Sequence, residues 1–420
     1  MTQLSDDCFA HGNQLTPLDE ALALLAKRLT TVADVEVVAL NEGLGRILAT
    51  DVVADRSVPP HDNSAVDGYA VRFSDLNPAA DTSLPVVGRI AAGDPPVSAD
   101  SDEAVAIRLF TGAVMPAGFD TVLMQEDCQE EDGIVHVMPG IRKGANRRFS
   151  GEDVSTGDKI LHAGQRLRPQ DLGLTASIGF TALSVRKRLR VALFSTGNEL
   201  RDPGAVIEPG AVYDANRFAL GGLLTQLGCS ISDLGILPDD RTVIADALRE
   251  SAVTHDLVLT SGGVSVGEED HVRTAVEAQG QIHFWRLSIK PGRPIALGQV
   301  GRTPFVGLPG NPVAVMVTFL RFTRPLIDRL AGATIHQPKT FPVRAGFDHR
   351  KKLRRREWVR AILEKDNDGW TACKYRQDGA GVLSSMAAAS GLVELSEETT
   401  DIRAGMTVDF LPFSELGIVA

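Results

Sequence analysis

The sequence predicts a multidomain α/β protein: one doubly wound domain, mixed or β-rich N-terminal domains, and a C-terminal β-barrel or sandwich. Three observations carry this. Between about residues 186 and 331, continuous apolar runs such as "RVALFS" and "DLVLTS" alternate with amphipathic stretches such as "TVIADALRESAV". Strands buried on both faces and separated by helices make a doubly wound sheet. From about 85 to 165 the text turns to short β-type runs, "LPVVGRI", "AVAIRLF", "TVLMQE" and "IVHVM", broken by glycine and proline. After Gly332 it is strand-like again in "TFPVRAGF", "EWVRAILE", "WTACKY" and "MTVDFLPF".

In chain order, "LTPLDEALALLAKRL" (15–29) reads as an amphipathic helix with Thr16 as N-cap and Pro17 in its first turn. "VEVVAL" and "GRILATDVVA" follow as β-type runs. "RVALFS" leads into the turn Thr196-Gly197-Asn198-Glu199, then "RFALGGLLTQLG" is helical and "SISDLGIL" a strand. "TVIADALRESAV" is a helix, "DLVLTS" a strand, "HVRTAVEAQG" a helix, and "PIALGQV" and "PFVGL" are strands. A helix, "NPVAVMVTFLRFTRPLIDRLAG", closes the region.

Composition narrows the function classes. The chain has 420 residues, an apolar fraction of 43% and a net charge of −11, which opposes generic nucleic-acid binding. Cys8, Cys128, Cys229 and Cys373 lie far apart, as free thiols in a reducing cytoplasm would. The acidic, polar N-terminus is unlike a secretory signal, and "VAVMVTFL" is too short to span a bilayer. A soluble cytoplasmic protein with no nucleic-acid or membrane partner is expected.

Ligands of doubly wound domains bind beyond the carboxyl ends of the strands. Three glycine-bearing loops fall there: "STGNEL", "TSGGVSVGEED" and "GLPGNP". Ser261, Gly262 and Gly263 let the backbone approach an anion closely. Glu268 stands where a phosphate loop requires lysine, and the first strand–helix turn has no G-x-G-x-x-G, so both nucleotide signatures fail. Glu199, Asp239, Asp240, Glu268, Glu269 and Asp270 all follow strands. Clustered carboxylates beside an anion turn suit a bridging divalent cation such as Mg²⁺. Glu268 and Glu269 equally suit the helix dipole, which leaves Glu199 and Asp270 for function. In "FWRLSIKPGRP", Arg286 and Lys290 would share one face of an extended segment, with Arg293 nearby, and could close on an oxyanion. "PPHDNSAVDGYAV" reads as a turn-rich loop, and the basic run "RKKLRRR" (350–356) as a solvated face.

"DNSAVDGYAV", "TGAVMPAG", "STGNEL", "TSGGVSVGEEDHV", "IKPGRP" and "GLPGNPVA" occur together in this order. The set resembles the molybdenum insertase family: bacterial MoeA-type proteins and the E domains of plant and animal molybdenum-cofactor proteins, gephyrin among them. That resemblance implies insertion of molybdate into adenylylated molybdopterin with Mg²⁺-dependent release of AMP. It also implies an elongated homodimer supplied by a molybdopterin adenylyltransferase. Four domains are implied: a discontinuous linker domain (1–56 and 147–185), an inserted β-rich domain (57–146), the α/β molybdopterin-binding domain (186–331) and the C-terminal β domain (332–420). The active site would lie between the α/β domain of one subunit and the inserted domain of the other.

Carried onto this chain, the resemblance makes Asp67 and Thr111 the partner's contribution. Glu199, Asp239 and Asp270 become the acids that handle Mg²⁺ and the adenylylated phosphate. Arg286, Lys290 and Pro291 fall in the substrate and molybdate region, and Pro309 and Pro312 shape the "GLPGNP" loop. Arg360 with Ser384 or Ser385 completes the oxyanion side. Arg286 stands where lysine is common, and "YRQDGAG" lacks the family's Gly-His-Gln. The competing expectations are the adenylyltransferase itself and a non-catalytic scaffold of the same fold. Retention of converging carboxylates at Asp67, Glu199 and Asp270 opposes the scaffold.

Overall fold

The structure is a computed structural model that describes residues 15–95, 97, 103–263 and 271–418. Its largest sheet has seven strands, in the spatial order Leu15–Thr16, Gly280–Leu287, Pro294–Val300, Thr303–Leu308, Leu257–Ser261, Arg190–Thr196 and Ser230–Leu237. From Thr303–Leu308 to Ser230–Leu237 the neighbours are parallel. Gly280–Leu287, Pro294–Val300 and Thr303–Leu308 form an antiparallel meander. Successive side chains of a strand point to opposite faces, and both faces here are covered. Val191, Leu193, Leu257 and Leu259 pack with Leu220 and Leu224 of helix Asn216–Gln226. Ala192, Phe194 and Val258 pack with Ile244 and Leu248 of helix Arg241–Thr254 and with Val272 of helix His271–Glu277. Two-sided burial is why these strands read as continuous apolar text.

Helix Leu18–Arg28 buries Leu18, Ala21 and Leu25 in the same core. Thr16 is not its N-cap. It pairs with Leu287 at the sheet edge, and Pro17 takes the cap position without a side-chain bond. The expected closing helix is interrupted: Pro312–Thr318 passes through a π-turn, Phe319–Thr323, into Arg324–Ala331. Pro325 has no N–H for the carbonyl four residues earlier, so the ladder widens just before it.

The inserted domain has a six-stranded sheet in the order Thr121–Met124, Gly68–Val71, Ala106–Leu109, Thr82–Ile90, Ile134–Val137 and Cys128–Glu131. Between it and the large sheet lie short pairs, Val35–Ala39 with Ala182–Arg186 and Val52–Val53 with Lys159–Leu161, and a helix, Pro169–Ser177. In "GRILATDVVA" only Val52–Val53 is a strand, because Ile47 and Leu48 each bridge a different partner, Arg166 and Val185.

The C-terminal strands close a barrel. Arg356–Asp366 pairs with both Gly369–Lys374 and Gly391–Leu395, and the circuit runs on through Thr407–Pro412 and Phe341–Ala345. Strand Ile289–Lys290 joins Arg356–Asp366 from outside. The chain thus leaves the large sheet at Ser288, which places Arg286 and Lys290 in different sheets rather than on one extended face. The basic run is not wholly solvated either. Arg356 is a half-buried hub, held by Asp19 at 2.7 Å and Glu397 at 3.1 Å.

Cys128, Cys229 and Cys373 are free thiols, and burial pushes Cys128 up to about 11 and Cys229 up to about 12. No helix among the described residues is long and apolar enough to cross a membrane.

Candidate active site

At the carboxyl end of the parallel strands, three loops are knitted together. Gly262 and Gly263 hold φ of 89° and 63°. A Cβ on Gly262 would lie 2.7 Å from the Thr196 carbonyl, and one on Gly263 would lie 2.5 Å from Val272. Only glycine permits that turn. Asn216 donates to Ser261 Oγ at 2.9 Å and to the Gly310 carbonyl at 2.7 Å, while Ser261 Oγ donates to the Pro309 carbonyl at 3.3 Å. Thr196 Oγ1 and Asn216 Oδ1 are buried without a partner among the described residues. Unpaired buried polar atoms beside the turn are the kind of group that a polar partner satisfies.

Glu199 is exposed, and its carboxylate folds back over Gly197. Asp240 caps helix Arg241–Thr254 by accepting from Thr242 N and Val243 N. Asp239, half-buried, stands one residue outside that cap. Asp270 lies outside the described residues, as do Glu268 and Glu269. Among those described, no three His, Cys, Asp or Glu side chains gather closely enough to hold a metal ion. The hard oxygen donors of Glu199 and Asp239 nevertheless fit Mg²⁺, which takes one or two carboxylates and keeps its waters.

Asp67 and Thr111 meet in the inserted domain. Thr111 N and Oγ1 donate to Asp67 Oδ1 at 2.7 and 2.8 Å, and these bonds hold the carboxyl below the usual aspartate range. Among the described residues no hydrogen bond or ion pair joins this pair to Glu199, Asp239 or the glycine turn.

A cavity of about 210 Å³ lies between the α/β domain and the barrel, lined by Lys290, Pro291, Pro309, Asn311, Glu357 and Arg360 among others. Arg360 is buried. Its Nε donates to Ser385 Oγ at 3.0 Å, and its Nη2 donates to the Gln377 and Gly379 carbonyls at 3.2 and 3.3 Å. Ser384 instead accepts from the Tyr375 hydroxyl, and Pro312 opens helix Pro312–Thr318 without lining the cavity. Arg286 does not line it either. It sits near Arg293, whose guanidinium is pushed down by burial and by the charges of Arg355 and Arg286.

Glu357, Asn216 and Asn311 escaped the sequence reading. Lys290 Nζ donates to Glu357 Oε1 at 2.7 Å, and His349 Nε2 reaches the same oxygen at 2.9 Å. Burial pushes the Glu357 carboxyl up, but hydrogen bonds from His349 and Lys290 outweigh it and hold the group below the usual glutamate range.

Family models match three successive stretches of the chain. A family model described as the MoeA N-terminal region (domain I and II) matches residues 16–179. One described as a probable molybdopterin binding domain matches 192–329, and one described as the MoeA C-terminal region (domain IV) matches 342–413. A Haemophilus influenzae protein named molybdopterin molybdenumtransferase is 37% identical, over 95% of this chain and 99% of its own. A Nostoc protein of the same name is 38% identical, over 73% of this chain and 72% of its own. The crystal structure of a molybdopterin biosynthesis MoeA protein from Pyrococcus horikoshii superposes with a TM-score of 0.81 at 29% identity, covering 95% of this chain and all (100%) of that one. With its three regions matched in order and a relative aligned end to end, this chain belongs to the MoeA family of molybdopterin molybdenumtransferases.

Proposed function

We propose that this protein is the transferase that inserts molybdate into adenylylated molybdopterin and releases AMP. One observation carries the reading: the "GLPGNP" loop belongs to both subsites. The Pro309 carbonyl accepts from Ser261 at the glycine turn, and Pro309 also walls the cavity of Lys290 and Arg360. A phosphate-sized anion on the turn and a tetrahedral dianion in the cavity are thereby neighbours. Holding two reactants side by side is worth many orders of magnitude in effective concentration.

In this reading Gly262 and Gly263 bring backbone against the pterin phosphate, with Ser261 anchoring the turn. Lys290 and the buried Arg360 supply the positive charge that gathers molybdate, and Pro291 shapes the wall. Glu199 and Asp239, with Asp270, would hold Mg²⁺, which supplies charge neutralisation at the phosphoanhydride. Asp67 and Thr111 act from the other subunit of a homodimer. The substrate comes from a molybdopterin adenylyltransferase, and the cytoplasm is the expected compartment.

The test is AMP release from adenylylated molybdopterin with Mg²⁺, with and without molybdate. Molybdate-dependent release with formation of active cofactor is expected. AMP release that ignores molybdate would make the protein a hydrolase, and tight binding without turnover would make it a carrier.

A further inference from the structure

The cavity contains a carboxylate that an oxyanion pocket does not obviously want. Glu357 is buried beside Lys290 and Arg360, where its charge opposes any incoming dianion. It is also firmly built in. Two donors, Lys290 Nζ and His349 Nε2, converge on its one oxygen Oε1. The His349 side chain is itself buried, and its Nδ1 lies 3.2 Å from Lys374 Nζ. A lysine ammonium only donates, so Nδ1 must accept and Nε2 carries the proton. The relay continues from Lys374 to Asp378 at 2.6 Å, and Asp378 lines the same cavity. Around the cavity, then, two cations, Lys290 and Arg360, face two carboxylates, Glu357 and Asp378.

Resting on the oxyanion reading of this cavity, we infer that Glu357, seated by His349, is its positioning residue: it fixes the Lys290 ammonium and balances its charge. The physical advantage lies in release. Bare cations would bind a dianion tightly in its ground state, and uniform tight binding does nothing to speed transfer. A cargo site must let go. Glu357 moderates the field without leaving Lys290 free to swing away.

Substitution separates charge from geometry. In Glu357→Gln the amide oxygen can still accept from both Lys290 and His349, while the negative charge is gone. Glu357→Asp keeps the charge. Titration calorimetry of sodium molybdate into the full-length protein should show Glu357→Gln binding about three- to tenfold tighter, the effect of one screened charge a few ångström away. That gain should shrink as salt rises, and Glu357→Asp should stay within about twofold of the parent, because its charge is unchanged. A merely structural role would weaken both variants and leave the salt dependence alone. Binding by a well-folded Glu357→Gln protein that is equal to or weaker than the parent's overturns the inference while leaving the oxyanion pocket in place. Absence of molybdate binding by the parent overturns the pocket assignment, and this inference with it.

Discussion

Arg360 illustrates what one side chain can do when its surroundings are built from backbone. Its guanidinium is shared among Ser385 Oγ and the carbonyls of Gln377 and Gly379. Carbonyls are supplied by any residue, so this anchor does not depend on which side chains "YRQDGAG" carries. Lysine in place of Arg360 would keep the charge but lose the planar fork. Arg360→Lys should weaken molybdate binding at least about tenfold and lower stability by about 1–3 kcal/mol, because buried carbonyls lose their donors. Calorimetric titration and urea denaturation would check the two effects separately.

The connection between sheet and barrel works at the scale of elements. Strand Gly280–Leu287 ends in one sheet, Ile289–Lys290 begins in another, and Gly292 then turns the chain back into strand Pro294–Val300. Gly292 has φ of 96°, and a Cβ there would lie 2.0 Å from Thr318 Oγ1 and 3.1 Å from the Ala314 carbonyl. Nothing in that position can yield cheaply, since both neighbours belong to helix Pro312–Thr318 in the buried core. Gly292→Ala should cost about 2–4 kcal/mol by denaturant unfolding, combining strain at positive φ with overpacking. It should also disturb the cavity, whose wall includes Lys290, Pro291 and Gly292.

At the scale of the whole molecule the candidate site falls into parts. Within one chain, Glu199, Asp239, the glycine turn and the cavity share the α/β domain and its junction with the barrel. Asp67 and Thr111 lie just outside strands Gly68–Val71 and Ala106–Leu109 of the separate six-stranded sheet. If the second subunit brings them together, each site needs one intact copy of both halves. Co-expression of Asp67→Asn with Glu199→Gln should then restore activity that neither variant has alone. Half the dimers would be mixed, with one of two sites intact, so about a quarter of parental activity is expected. Failure to complement, with mixed dimers present, would place the whole site within one chain. The barrel is fastened to the rest by Arg356 with Asp19 and by Arg321 with Glu394, which also accepts from Trp358 Nε1 at 2.8 Å.

What the sequence determined by itself was local. Continuous apolar text along "RVALFS" and "DLVLTS" encodes strands covered on both faces, and the glycines of "TSGGV" encode a turn that a Cβ would block. The motif order identified the family. Tertiary structure alone decided which side chains meet. Lys290 and Glu357 are 67 residues apart, and they face each other only because Ile289–Lys290 pairs in register with the strand beginning at Arg356. Arg286, four residues before Lys290, is carried into the other sheet by the crossing at Ser288. The half-buried Arg356 is likewise invisible in a run of basic letters, since its partner Asp19 lies at the far end of the chain. Short-range pattern reports burial and backbone shape. Ion pairs and cavities depend on the register between sheets, which no local stretch of sequence carries.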